Sequence, residues 1–179
     1  MKNLTRLLCL SALSVSVAFA ESLDETRKKA ETGDAKAQLS LGVMYFGGYG
    51  VPKDDVEAVK WYRKAADQGN EGAQSILGMM YFNGRGAPKN YAEAVKWFRL
   101  AADQNNGSAQ FNLGLIYVNG RGVPKDKVMA HVWFNIAAVA GQVDATKNLE
   151  MVEKEMSPDQ IAEAMKLARE LFAKLPKKK

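Results

Sequence analysis

A chain of 179 residues in which 47% are hydrophobic and 25% charged has an ordinary globular composition, without the charge excess of a disordered protein. One folded domain is the expectation. A formal net charge of +5 is mild and does not point to a nucleic-acid binder.

The first twenty residues differ in kind from the rest. Lys2 and Arg6 precede an apolar run from Leu7 to Val17, and Ala18-Phe19-Ala20 places small residues at −3 and −1 of a cleavage site. Residues 1–20 therefore read as a secretory signal peptide, with a mature chain from Glu21 that is periplasmic or secreted. The run is too short to span a bilayer comfortably and no longer apolar stretch follows, so no integral membrane span is expected. Arg6-Leu7-Leu8 ahead of Cys9 does not form a lipoprotein box. Cleavage removes Cys9, the one cysteine, and the mature chain then holds neither thiol nor disulfide. It also removes two of the 25 basic residues and none of the 20 acidic ones, which leaves +3.

Residues 21–33 predict a short polar helix. Ala30 and Gly33 stand 36 residues before Ala66 and Gly69, so this helix is the second half of a missing unit. Asp24, Glu25, Arg27, Lys28 and Lys29 supply the polar outer face of an N-terminal cap.

Three units follow, over 34–69, 70–105 and 106–141, each a copy of the last at a spacing of 36 residues. A first helix opens at Asp34, Asn70 or Asn106, whose side chains can accept from unpaired first-turn N–H groups. Ala37, Leu41 and Tyr45 fall within one arc at 100° per residue and form a face to bury. Gly42, Gly78 and Gly114 interrupt good helix at a cost of about 1 kcal/mol each relative to alanine. Such a recurring cost implies close approach of a partner helix bearing the unit's Trp and its aromatic neighbour. The loop from Phe82 to Lys89, with Gly84, Gly86 and Pro88, is a turn rather than a phosphate loop, because a dinucleotide fingerprint needs a preceding strand and a third glycine.

The second helix opens at Asp54, Asn90 or Asp126. Asp54 with Glu57, and Asn90 with Glu93, have the spacing of a capping box. Ala58, Trp61, Tyr62, Ala65 and Ala66 recur as Ala94, Trp97, Phe98, Ala101 and Ala102, then as Ala130, Trp133, Phe134, Ala137 and Ala138. The helix closes at Gly69, Asn105 or Gly141, types that tolerate the left-handed conformation after a C-terminus.

Over 142–175 the pattern decays into a half-repeat and a capping helix. Ala145 and Leu149 keep their slots, but Glu150 and Glu153 replace the glycine and the tyrosine. Ser157-Pro158-Asp159-Gln160 starts a last helix, with Ile161, Ala164, Met165, Ala168, Leu171, Phe172 and Leu175 on one face. Residues 176–179 are a basic tail.

The signature Ala-x-x-x-Leu-Gly-x-x-Tyr, Gly-x-Gly-x-Pro, Ala-x-x-Trp-aromatic-x-x-Ala-Ala resembles the Sel1-like repeat, a relative of the tetratricopeptide repeat. The resemblance implies an all-α fold: an α/α solenoid with a right-handed superhelical twist, built from three full repeats with half-repeat caps. It also implies that the first helices line the concave side and the second helices the convex side. Exported members are associated with bacterial envelope adaptor and host-interaction roles. Cysteine-rich relatives tie the two helices of a repeat by a disulfide, which this chain cannot form.

On the first helices a second apolar arc carries Leu39, Val43 and Phe46, then Met79 and Phe82, then Phe111, Leu115 and Val118, with Met151 in the half-repeat. These residues either pack between neighbouring first helices or line a concave groove for a peptide or helix. Val43, Met79, Leu115 and Met151 share one register position and are expected in the groove, and Ser75 joins them as a residue the repeat signature does not explain. Arg85, Lys89, Arg121 and Lys125, together with Lys53, fall in the loops, forming either a solvated rim or an edge for weak contact with anionic envelope polymers. His131, the one histidine, has no cysteine or serine partner for metal binding or catalysis, and neither Ser-x-x-Lys nor Gly-x-Ser-x-Gly occurs. The expectation is a monomeric, non-enzymatic adaptor of the bacterial envelope that needs no cofactor or metal and binds a protein or peptide on its concave face. The rivals are a β-lactam-binding enzyme, a label some relatives carry, and an envelope-polymer binder.

Overall fold

The structure, a computed structural model, describes residues 23–176. The expected signal peptide and the last three lysines lie outside the described residues, as do Glu21 and Ser22. Helix α1 covers 23–31. It is followed by α2 (Ala35–Gly47), α3 (Asp55–Asp67), α4 (Glu71–Asn83), α5 (Tyr91–Asp103), α6 (Gly107–Asn119), α7 (Lys127–Val139), α8 (Val143–Glu153) and α9 (Pro158–Phe172). No strand occurs among the described residues.

Local chemistry sets the helix starts. Asp34, Asn70 and Asn106 accept from the amides of Ala37, Ala73 and Ala109 at 2.7, 2.8 and 3.0 Å. Asp54, Asn90 and Asp126 cap α3, α5 and α7 in the same way. The capping box expected there does not form. Its reciprocal bond needs the N-cap amide, and the amides of Asp54, Asn90 and Asp126 already donate to the carbonyls of Tyr45, Tyr81 and Tyr117 at 2.9, 2.9 and 3.1 Å. Glu57 instead pairs with Lys60, and Glu93 accepts from Trp97 Nε1 at 3.2 Å. A reciprocal box does close at Ser157 and Gln160. At the other ends, Gly48, Gly84 and Gly120 end the first helices at φ near 70°, and Asn105, at φ 63, is a non-glycine residue in the left-handed region.

The helices form antiparallel pairs α2/α3, α4/α5 and α6/α7, stacked so that each second helix packs on the next first helix, with α8 and α9 both against α7. The glycines within the first helices permit that packing. A methyl group on Gly42 would stand 2.6 Å from Tyr62 Cδ1, one on Gly78 2.7 Å from Phe98 Cδ1, and Gly114 meets the Phe134 ring in the same way. The aromatic neighbour alone rests on the glycine. The Trp points elsewhere: Trp97 closes the cluster between α3 and α4, and Trp61 packs against Ala30, Ala37 and Leu41.

Polar ties repeat between units. Gln68 donates to Gln38 at 2.7 Å and Gln104 to Gln74 at 2.8 Å, while Gln38 and Gln74 donate to the carbonyls of Ala30 and Ala66. Arg63 and Arg99 donate to the hydroxyls of Tyr81 and Tyr117. The third unit breaks the glutamine ladder and also lacks the Trp97–Glu93 bond of the second unit. Ala140 occupies the donor's slot, and the buried Gln110 Oε1 has no partner among the described residues; Met129 replaces Glu93, and Trp133 Nε1 has none among them either.

The last helix departs from its expected orientation. Ala164 and Ala168 are buried and Leu167, Leu171 and Leu175 pack on the core, but Met165 and Phe172 are exposed. Small alanines let α9 lie close to α7, and the helix is turned so that Leu167 faces inward.

Candidate functional site

The first helices present one face away from the second helices, and a groove of about 600 Å³ runs along it. Val43 and Met79, 39% and 40% exposed, stand on this groove, and Phe46, Ser75 and Arg85 also line it. Ile76, Asn83, Ser108 and Asn112 also line it, none of them singled out from sequence. A signal existed for two of them, because Ile76 and Asn112 occupy one register position 36 residues apart. The floor is apolar and the rim carries amide and hydroxyl groups, a surface able to bind a chain by side-chain burial and hydrogen bonding. Tyr62 lies at its base, where burial pushes the phenol up to about 12 against the opposing Arg85, so the ring is neutral.

A second recess of about 290 Å³ collects Val118, Met151 and Lys125 with Tyr117, Lys127, Asn148 and Glu155. Lys127 pairs with Glu155 at 3.0 Å, whereas Lys125 is exposed and makes no ion pair among the described residues.

The other apolar candidates are partly buried against neighbouring helices. Leu39 packs on the cluster between α3 and α4. Phe82 meets Tyr91 edge-on with ring centroids 5.2 Å apart, and Phe111 meets Phe134 at 5.7 Å. Leu115, expected to share the groove with Val43 and Met79, is half-buried against Ala130, Phe134 and Val152. Residues of α7 and α8 close on that position.

Along the loop edge the cations differ. Arg85 is matched: it spans to Asp55 of the preceding repeat with bonds of 2.7 and 3.1 Å and lies over Phe46 at 3.8 Å. Its hydrogen bonds hold the Asp55 carboxyl below the usual carboxylate value and raise Arg85 in turn. Arg121 lies over Phe82 at 5.4 Å, but Tyr91 occupies the slot of Asp55, and Arg121 forms no ion pair among the described residues. Lys89 is exposed and forms no ion pair among the described residues.

His131 is fully buried, with Nε2 2.9 Å from Glu153 Oε1 and no partner for Nδ1 among the described residues. It ties α7 to α8 where the earlier units use Arg and Tyr. Among the described residues no group of three His, Cys, Asp or Glu side chains could hold a metal ion, and no helix is long and apolar enough to cross a membrane.

The profile of the Sel1 repeat matches residues 35–70, 72–106 and 107–141. Among curated proteins, the secretory immunoglobulin A-binding protein EsiB of Escherichia coli O6:H1 is 46% identical over 41 residues, 23% of this chain and 8% of that protein. Among solved structures, c5321, a protective antigen of uropathogenic Escherichia coli strains with an SLR fold, superposes with a TM-score of 0.81 at 36% identity, covering 87% of this chain and 33% of that one. A Sel1 repeat protein from Oxalobacter formigenes matches at 39% identity with a TM-score of 0.67, over 72% of this chain and 97% of its own. Helicobacter pylori cysteine-rich protein B, 22% identical with a TM-score of 0.58, shares the fold over 74% of this chain and 96% of its own. The chain thus spans a third of the uropathogenic antigen's length and a small part of EsiB. With three profile matches laid over three stacked helix pairs, the fold is the α/α solenoid, and the chain belongs to the Sel1 repeat family.

Proposed function

We propose that this protein is a non-enzymatic scaffold of the bacterial cell envelope that binds another protein or a peptide along the face of its first helices. Sel1 repeats mediate protein interactions, and this reading adds the face and the compartment. The observation that carries it is the groove in which Val43 and Met79 remain exposed above an apolar floor with an amide-bearing rim. Soluble chains keep large apolar groups on a concave surface where a partner covers them. The envelope assignment rests on the secretory pattern of residues 1–20 and on the bacterial antigen to which the solenoid is similar. The immunoglobulin binding named for EsiB stays with that protein, whose likeness here spans one repeat.

The test is affinity capture from the native envelope with the wild type and with Val43→Glu/Met79→Glu. Both side chains are solvent-exposed, so the double variant keeps its helicity by circular dichroism and loses the captured partner. A variant that captures the same partner at full strength refutes the site. Lys89 and Lys125 favour a second mode, weak contact with anionic envelope polymers. Salt-sensitive pull-down by isolated lipopolysaccharide, lost in Lys89→Glu/Lys125→Glu, tests it.

A further inference from the structure

Two departures from the repeat converge on the groove. Tyr62 stands in a slot that Phe98 and Phe134 fill in the later units, and Ser75 in a slot that holds Leu39 and Phe111 in the units on either side. Packing of the repeat requires neither hydroxyl, yet both residues line the same cavity from different helices, α3 and α4. Each is more than nine-tenths buried, at 1% and 8% exposure, and neither side chain makes a hydrogen bond among the described residues. Neither oxygen is sealed in, for the enclosed side-chain atoms that lack a partner among the described residues are Gln110 Oε1, His131 Nδ1 and Trp133 Nε1. A buried hydroxyl without a partner is costly, and these two border a space that an occupant can enter.

Tyr62 is also held in place. One edge of its ring rests on Gly42 of α2, where a methyl group would stand 2.6 Å from Cδ1 and 2.7 Å from Cε1. Burial pushes the phenol up to about 12, although the charge of Arg85 acts the other way, so at neutral pH the hydroxyl remains a donor.

The lining dictates the chemistry of the occupant. Val43, Phe46, Ile76, Met79 and Met80 demand an apolar body, and thioethers beside an aromatic wall suit a ring. Arg85, the one charged residue on the lining, is matched by Asp55 at 2.7 and 3.1 Å, so a charged tip finds no free counter-charge there. The two hydroxyls call for a neutral tip that both accepts and donates. Among protein side chains, asparagine, glutamine, histidine, serine and threonine lack the apolar body, an indole N–H only donates, and phenylalanine offers no tip. Tyrosine has both parts.

We propose that the groove is an anchor pocket for a tyrosine side chain of the partner, its ring against the methionines and its hydroxyl paired with those of Tyr62 and Ser75. The proposal rests on the groove-binding reading above and adds the residue that is recognised. A phenylalanine would fill the space and leave both hydroxyls without a partner, which is how the site tells the two rings apart.

The probes are N-acetyltyrosinamide, N-acetylphenylalaninamide and N-acetyltryptophanamide, titrated into the isotope-labelled full chain and followed by amide NMR. The tyrosine probe is expected to shift the amides of Val43, Ser75 and Met79 saturably, at least about fivefold tighter than the other two, with little change as salt rises. Tyr62→Phe and Ser75→Leu install side chains that other units carry at those slots, so both variants are expected to keep the helicity of the wild type. Tyr62→Phe is expected to lose most of the preference for tyrosine over phenylalanine, and Ser75→Leu, whose side chain also occupies the space, to bind neither. Equal affinity of the wild type for the tyrosine and phenylalanine probes, an undiminished preference in Tyr62→Phe, full binding by Ser75→Leu, or binding of no probe overturns the proposal. If the two rings bind equally and Met79→Glu abolishes both, the groove reading survives and the tyrosine falls; if native capture ignores Val43→Glu/Met79→Glu, the groove reading itself has failed.

Discussion

Gly78→Ala sets two known effects against each other at one atom. Replacing a mid-helix glycine with alanine stabilises an open helix position by about 1 kcal/mol. Here the new methyl group would stand 2.7 Å from Phe98 Cδ1, 2.8 Å from Cε1 and 3.0 Å from Cγ, against a ring with 0% exposure that cannot swing into solvent. Overpacking of this kind costs about 1–3 kcal/mol, so the net expectation is a loss of about 1 kcal/mol. In a chain of this size that lowers Tm by about 2–4 °C in a thermal melt followed by circular dichroism. The sign depends on Phe98 alone. In a Phe98→Leu background the methyl group has room, and the same Gly78→Ala change is expected to raise Tm. A Gly78→Ala variant that melts higher than wild type in the native background would refute the close-approach account of the glycine.

Ala140→Gln restores the donor that Gln68 and Gln104 supply in the earlier units and gives the orphaned Gln110 Oε1 a partner, for a gain of about 0.5–1.5 kcal/mol in denaturant melts; an unchanged midpoint would show that the ladder cannot extend into the third unit. Glu153→Ala leaves both nitrogens of the buried His131 ring unpartnered and is expected to cost about 1–3 kcal/mol, whereas Glu150→Ala, exposed on the same helix, stays within about 0.5 kcal/mol; equal effects would sink the tie. Asp55 is held below its usual value by Arg85, so its contribution is full above the unfolded carboxylate value, near pH 4, and is lost as pH falls through the lower folded value. Acid titration of stability should therefore show a loss below about pH 4 that Arg85→Ala removes, and an unaltered profile in that variant would deny the pair a role.

Sequence pattern reached furthest where the physics is local. Caps at Asp34, Asn70 and Asn106 and left-handed positions at Gly69, Asn105 and Gly141 are settled within four residues of chain, and the structure shows each of them. The capping boxes failed because a backbone amide that looked free in sequence is occupied by a tyrosine carbonyl nine residues earlier. Arg85 looked like one more loop cation because nothing in its neighbourhood announces Asp55, thirty residues away and one repeat back.

The 36-residue period, the helix pairs and the solenoid were determined by the sequence itself, since each unit cannot bury its apolar face alone and identical units bury it by stacking. What tertiary structure decided was the fate of the second apolar arc. Leu39, Val43, Phe46, Met79, Phe111 and Leu115 share a helix face and differ little in character, yet Val43 and Met79 are exposed while Phe111 and Leu115 are drawn into packing. Periodicity shows which way a side chain points. Only the tertiary packing of the neighbouring repeat decides whether another helix or solvent meets it there.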